Sequence, residues 1–129
     1  NNWEVMKKVL DKDHAVTEKL KKIAQIAREM DKALTLGQMK KVTALFADEW
    51  EARKALAPSI STPHMDRLIA GAMKKGAQAA KVCGAGGGGC IAFIVPSKKR
   101  ESVVLELVRL KGQVIPFRFV QRGLRVQLI

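Results

Sequence analysis

Five of the chain's ten glycines fall within Lys81-Val82-Cys83-Gly84-Ala85-Gly86-Gly87-Gly88-Gly89-Cys90. Glycine tolerates positive φ and leaves its backbone N–H unshielded, so a glycine run can converge N–H groups on an anion, typically a phosphate. The conformational cost is roughly 0.5–1 kcal/mol per glycine in regular structure. A plain hairpin turn needs only about two to five residues and one or two glycines. The surplus therefore points to phosphate chemistry, with a tight structural turn as the plainer alternative. Two familiar phosphate loops fail on their context. Gly84-x-Gly86-x-x-Gly89 has the dinucleotide spacing. The run that follows it is strand-like rather than helical, and Arg109 stands where an acid is needed. Gly84 and Gly89 open with P-loop spacing, but Cys90 and Ile91 occupy the Lys and Ser/Thr positions. A glycine loop joining two antiparallel strands remains.

Other reactive side chains give weaker signals. Lys81 either neutralises a bound phosphate or is a surface lysine. Arg118, Arg122 and Arg125 cluster on one expected hairpin, where they either face an anion or solvate a sheet face. Cys83 and Cys90 flank the loop without CxxC spacing, and buried structural thiols are the expectation. His14 and His64 are not at metal-ligand spacing, so no metal site is expected. Asp66, in a first helical turn, complements the helix dipole more readily than it serves acid–base chemistry.

The elements that must position the loop follow from periodicity. Val16, Leu20, Ile23, Ile26, Ala27 and Met30 mark a helix. Asp11 or Asp13 caps a break ahead of it, or the helix runs through. Thr35 and Gln38 read as a capping box opening a second helix with Met39, Val42, Leu45, Phe46 and Trp50 inside. Residues 57–63 read as a linker turn. Thr62 and Pro63 start a helix that Gly76 stops. Ala79–Cys83 is a short strand, and 90–95 reads as a central strand buried on both faces. A helix burying Val103, Val104, Leu107, Val108 and Leu110 ends at Gly112. Residues 114–120 and 124–128 alternate as a hairpin about Gly123, with Ile115, Phe117 and Phe119 on the core face. The order α-β-β-α-β-β after position 58 predicts an α+β fold with a four-stranded, mainly antiparallel sheet, helices 1–57 packing beside the α/β part 58–129.

Composition bounds the answer. The 129 residues suit one compact domain or two packed lobes, and no apolar run approaches a membrane span. The net charge of +12 indicates an anionic partner. Residues 1–57 hold 12 Lys/Arg against 9 Asp/Glu, and 58–129 hold 12 against 3, so the basic excess is C-terminal. The chain begins Asn1-Asn2-Trp3-Glu4, without Met or signal-peptide features, which suggests a fragment or processed product in a reduced cytoplasmic setting.

The stretch 81–90 resembles the third, C-terminal motif of the GHMP kinases, the galactokinase, homoserine, mevalonate and phosphomevalonate kinases and their relatives. The runs 49–54, 58–63 and 65–69 and the closing 114–126 resemble the sugar kinase branch acting on heptose phosphates. The resemblance implies a ferredoxin-like C-terminal domain and ATP-dependent phosphoryl transfer, with Mg²⁺, to a hydroxyl of a sugar or sugar phosphate. It implies that Gly84, Ala85, Gly86, Gly87, Gly88 and Gly89 support the nucleotide phosphates. The family's main phosphate loop and catalytic acid belong to an N-terminal domain, and no Gly-Ser-Ser run occurs here. The chain alone is thus expected to lack kinase activity. Gly86→Val or Gly87→Val in the full enzyme is expected to lower turnover without unfolding the domain. The competing class is a nucleic-acid-binding module using a basic sheet. Aromatics at 5%, with no Tyr, argue against it, as does the core placement expected of Phe117 and Phe119.

Overall fold

The computed structural model describes residues 2–124 and 126. In chain order these form α1 (Asn2–Leu10), α2 (His14–Thr35), α3 (Met39–Lys54), a 3-10 turn (Pro58–Ile60), α4 (Pro63–Lys74), β1 (Ala79–Cys83), β2 (Cys90–Ile94), a second 3-10 turn (Ser97–Lys99) and α5 (Arg100–Arg109). The architecture is α+β, and the strands pair antiparallel.

The helix boundaries have local causes. Asp13 separates α1 from α2, its side chain accepting from the Val16 N–H at 3.1 Å. On α2, Val16, Ile26 and Ala33 are buried, with Leu20, Ile23 and Met30 half-buried between them. This is the stripe of an amphipathic helix. The expected capping box does not form. Thr35 is the last residue of α2 and donates to the Asp31 carbonyl at 2.9 Å. The apolar stripe carries α2 one turn further than the capping signal implies, and Gly37 with φ +65° ends it. Thr62 does cap α4, accepting from the Met65 N–H at 3.2 Å, with Pro63 at the first position. Gly76 terminates α4 with φ +106°. At the end of α5 the left-handed residue is Lys111 (φ +66°) rather than Gly112. Gly71 and Ala72 let α5 close on α4: a Cβ on Gly71 would meet Leu110 Cδ1 at 2.5 Å, and Ala72 is fully buried. Val108, expected inside, is exposed.

The two-stranded sheet is packed between helices. Val82 lies fully buried in a cluster with Val16, Trp50, Leu56, Ala57, Ile60 and Met65. Ile94 packs on the α2–α3 cluster of Ile26, Ala33, Val42, Leu45 and Ala52. Phe93 and Val95 pack on Ala72, Ala77 and Val103. Residues 56, 57 and 60 are therefore core, not a loose linker, because Leu56, Ala57 and Ile60 are each at most 5% exposed.

The sheet differs from expectation in two ways. No residue of β2 is buried, and Cys90 is exposed, so β2 is not a strand covered on both faces. Its sole partner among the described residues is β1, which leaves its other edge without a neighbouring strand. Residues 113–120 form no strand, and the four-stranded sheet is two-stranded among the described residues. Phe117 and Phe119 are 78% and 94% exposed and meet each other edge-on at 5.6 Å. Alternation specifies a strand only where a neighbouring strand satisfies its backbone and a core covers one face. Of the second run of that hairpin, Arg125 and residues 127–129 lie outside the described residues.

Candidate functional site

The glycine loop joins the ends of β1 and β2 and stands exposed except for the half-buried Gly86. Gly84, Gly86, Gly87 and Gly89 have φ of +91°, +82°, +72° and +99°. Side-chain-bearing residues rarely adopt these values, so the glycines make the path of the loop. The loop is anchored at one point. Gly87 N–H donates to the Ile60 carbonyl at 3.0 Å. A Cβ on Gly86 would stand 2.8 Å from that carbonyl oxygen and 2.9 Å from Ile60 Cα, both backbone atoms that cannot swing aside. Gly86 is therefore the contact by which the loop seats on the 3-10 turn. Gly86→Val would unseat the loop, so that substitution does not isolate catalysis from folding.

Beyond this anchor the loop is open. Among the described residues the N–H groups of Gly84, Ala85, Gly86, Gly88 and Gly89 donate to no backbone carbonyl. Such unpaired, preorganised donors suit an anion. Gly88 is distinctive: its φ is not left-handed and nothing lies within 4 Å of a Cβ built on it. Neither turn geometry nor packing requires glycine there. A bare backbone at that position is useful to a partner that must come close.

The anchor is itself braced. Ser59 Oγ donates to Glu4 Oε2 at 2.8 Å, tying the 3-10 turn to α1, and this bond holds the Glu4 carboxyl below its ordinary range. Ser61 Oγ donates to Asp66 Oδ1 at 2.6 Å, tying the turn's exit to the first turn of α4. Beside the loop, Val5, Met6, Val9, Leu10, Leu20, Leu56, Ile60, Ala85 and Arg53 line a cavity of about 350 Å³. Its lining is apolar apart from Arg53, so it is no anion site.

Lys81 has a defined partner. Its Nζ stands 2.8 Å from Glu49 Oε2 and 5.7 Å from the centre of the Phe46 ring. Arg53 donates to Glu49 Oε1 from Nε at 2.7 Å and also from Nη2. Glu49, 7% exposed, thus bridges α3 to β1. Burial pushes its pKa up, but the hydrogen bonds from Arg53 and the adjacent Lys81 charge outweigh that, and the net shift is downward. Lys81 is accordingly neither a solvated surface lysine nor an unpaired cation aimed at the loop. Arg118 and Arg122 stand exposed in the 113–124 segment, and Arg125 lies outside the described residues. Among the described residues no three His, Cys, Asp or Glu side chains gather to hold a metal ion. No helix of the described residues is long and apolar enough to cross a membrane.

Sequence reasoning missed Glu49 and Ile60. The i, i+4 spacing of Glu49 and Arg53 hints at a helical ion pair. That a strand lysine completes it depends on how α3 lies on β1. Nothing in the sequence marks Ile60 as the seat of the loop.

Comparison with known proteins places the chain in a family. Residues 32–112 match the family described as GHMP kinases C terminal. The chain is 26% identical over 113 residues to the D-glycero-alpha-D-manno-heptose 7-phosphate kinase of Campylobacter jejuni, covering 88% of this chain and 33% of that protein. It is 32% identical over 124 residues to the mevalonate kinase of Pyrococcus abyssi, covering 96% of this chain and 32% of that protein. The chain thus spans about a third of the length of these curated relatives. In fold it resembles L. major mevalonate kinase in complex with R-mevalonate, with a TM-score of 0.64 and 19% identity over 84% of this chain and 34% of that one. The family match covers most of the chain, including the loop and the 3-10 turn that seats it, and the chain belongs to the GHMP kinase C-terminal family.

Proposed function

We propose that this chain is the C-terminal part of an ATP-dependent kinase acting on a hydroxyl of a sugar or sugar phosphate. In this reading the loop 84–89 supports the nucleotide phosphates. The observation that carries it is the pairing of a rigid seat at Ile60 with open amides at Gly84, Ala85, Gly88 and Gly89, and a glycine at 88 that the fold does not require. Phosphoryl transfer depends mainly on positioning and on charge stabilisation. ATP, when bound, supplies the phosphoryl group. The loop's N–H groups hold phosphate oxygens without reorganising, and the Ile60 anchor keeps them in place. Mg²⁺ would belong to the same reading as the counter-ion of the nucleotide phosphates, neutralising charge on their oxygens. An N-terminal domain would supply the main phosphate loop and the catalytic acid, and this chain alone would turn over no ATP. The setting is cytoplasmic, where ATP is abundant. The remaining strands of a ferredoxin-like sheet belong to the same reading, with 114–126 pairing in the whole enzyme.

The test is steady-state kinetics of the full-length protein carrying Gly88→Ala. We expect kcat/KM for ATP to fall by about tenfold or more, equivalent to roughly 1.4 kcal/mol, with the melting temperature unchanged. Unchanged kinetics would remove the loop from the phosphate site. A panel of heptose phosphates, other sugar phosphates and mevalonate decides the acceptor. Turnover of mevalonate alone would overturn the sugar assignment. The nucleic-acid reading has no support. Its aromatic objection changes form, since Phe117 and Phe119 are exposed rather than in the core, but no sheet presents them as a stacking surface among the described residues.

A further inference from the structure

Cys83 and Cys90 are the last residue of β1 and the first of β2, and they stand directly opposite each other in the ladder. Opposed residues in an antiparallel pair point to the same face, with Cα atoms about 4.5 or 5.5 Å apart depending on the rung. Both spacings fall within the roughly 4.4–6.8 Å that a disulfide spans. Both thiols are free and exposed, which overturns the expectation of buried core cysteines. The six residues between them are the whole glycine loop.

We propose that Cys83 and Cys90 form a reversible cross-strand disulfide that clamps the glycine loop at its base. The oxidant is a low-molecular-weight disulfide of the glutathione class. The thiolate of one cysteine attacks a sulfur of the oxidant, forming a mixed disulfide and releasing one thiolate. The facing cysteine, after losing its proton to solvent, attacks the protein-side sulfur, forming the Cys83–Cys90 bond and releasing the second thiolate. Two protein thiols are oxidised and one small disulfide is reduced to two thiols. A dithiol reverses the exchange. Transient, redox-sensing disulfides are the kind found in reducing compartments. With its ends tied, the loop is held at its base by a covalent bond as well as by the hydrogen bond to Ile60. The proposal rests on the ladder register and exposure, and it stands whether or not the loop binds a nucleotide.

The intact protein is equilibrated with rising ratios of oxidised to reduced glutathione, then alkylated and weighed. We expect Cys83 and Cys90 to be lost together, with a mass decrease of two hydrogens, no retained glutathione, and full recovery with dithiothreitol. Cys83→Ser and Cys90→Ser should each retain one glutathione on the remaining cysteine. Amide exchange across 84–89 should slow by roughly tenfold in the oxidised form. Stable glutathione adducts on the unsubstituted protein, disulfide-linked dimers, or thiols still free in excess oxidised glutathione would each overturn the proposal. Unchanged loop exchange after oxidation would overturn the clamp.

Discussion

The loop 84–89 and the segment 113–124 both carry clear sequence signals, yet they are held differently. The loop is the more costly sequence in conformational entropy, and it is fixed. One hydrogen bond to Ile60, one close approach at Gly86 and a β-ladder at its base define its path. The segment has the better strand pattern, alternating apolar and polar residues, and it forms no strand. The difference lies in what each touches. The loop is closed by a short-range ladder whose strands rest on three apolar clusters. The segment has no neighbouring strand among the described residues, and Phe119 and Leu124 are more than nine-tenths exposed. Local pattern sets what a segment can form, and a satisfied edge and a covered face decide whether it does.

The contrast can be broken from the loop side first. Glu49→Ala removes the carboxylate that pairs Lys81 of β1 with Arg53 of α3, leaving two partly buried cations unmatched. A loss of about 2–3 kcal/mol is expected in urea unfolding followed by fluorescence of the buried Trp50. The same carboxylate sets a pH dependence. Its folded pKa is lowered, so its contribution is complete above the ordinary glutamate range and is lost as pH falls through the lowered value. Glu49→Gln should flatten the acid limb of stability against pH, and an unchanged limb would locate acid sensitivity elsewhere. Gly86→Ala comes next. The left-handed φ alone costs about 1–2 kcal/mol, and the contact with Ile60 adds to it, so a melting curve should show a clear drop. Gly88→Ala should leave stability within about 0.5 kcal/mol while lowering turnover, which separates anchor from open face inside one loop. The smallest effect belongs to the other region. Phe119→Ser in this chain should shift stability by less than about 0.5 kcal/mol. A larger loss would mean that the segment pairs in solution.

Much of the fold was legible. The stripes of α2 and α3 apart from Ala27 and Met39, which are exposed, the Thr62–Pro63 start and the Gly76 stop of α4, the two strands about the glycine loop and the helix after them all follow from period and turn chemistry. Errors came where a local signal met a stronger tertiary one. Thr35 looks like a cap but belongs to α2, because apolar residues through Ala33 keep that helix going. Uniformly apolar 90–95 looks like a central strand, yet strand order is a long-range property and β2 has one paired neighbour among the described residues. Residues 57–63 look like a linker by composition, yet Ile60 is buried and seats the loop. At the site, the sequence marked the glycines but could not divide them into path-making, anchoring and open positions. That division depends on φ at each residue and on the Ile60 backbone beside Gly86.

The sequence by itself determined the chemistry on offer. A surplus of glycines between two strands means exposed amides suited to an anion, and the order of helices and strands around them follows from hydrophobic period, which is a local property. Only the tertiary structure decided the use of each residue. It paired Lys81 with Glu49 and left Gly88 bare. It also set Cys83 across from Cys90 at the base of the loop. The Lys81–Glu49 pairing joins groups far apart along the chain, and such meetings depend on how elements pack, which no local pattern encodes.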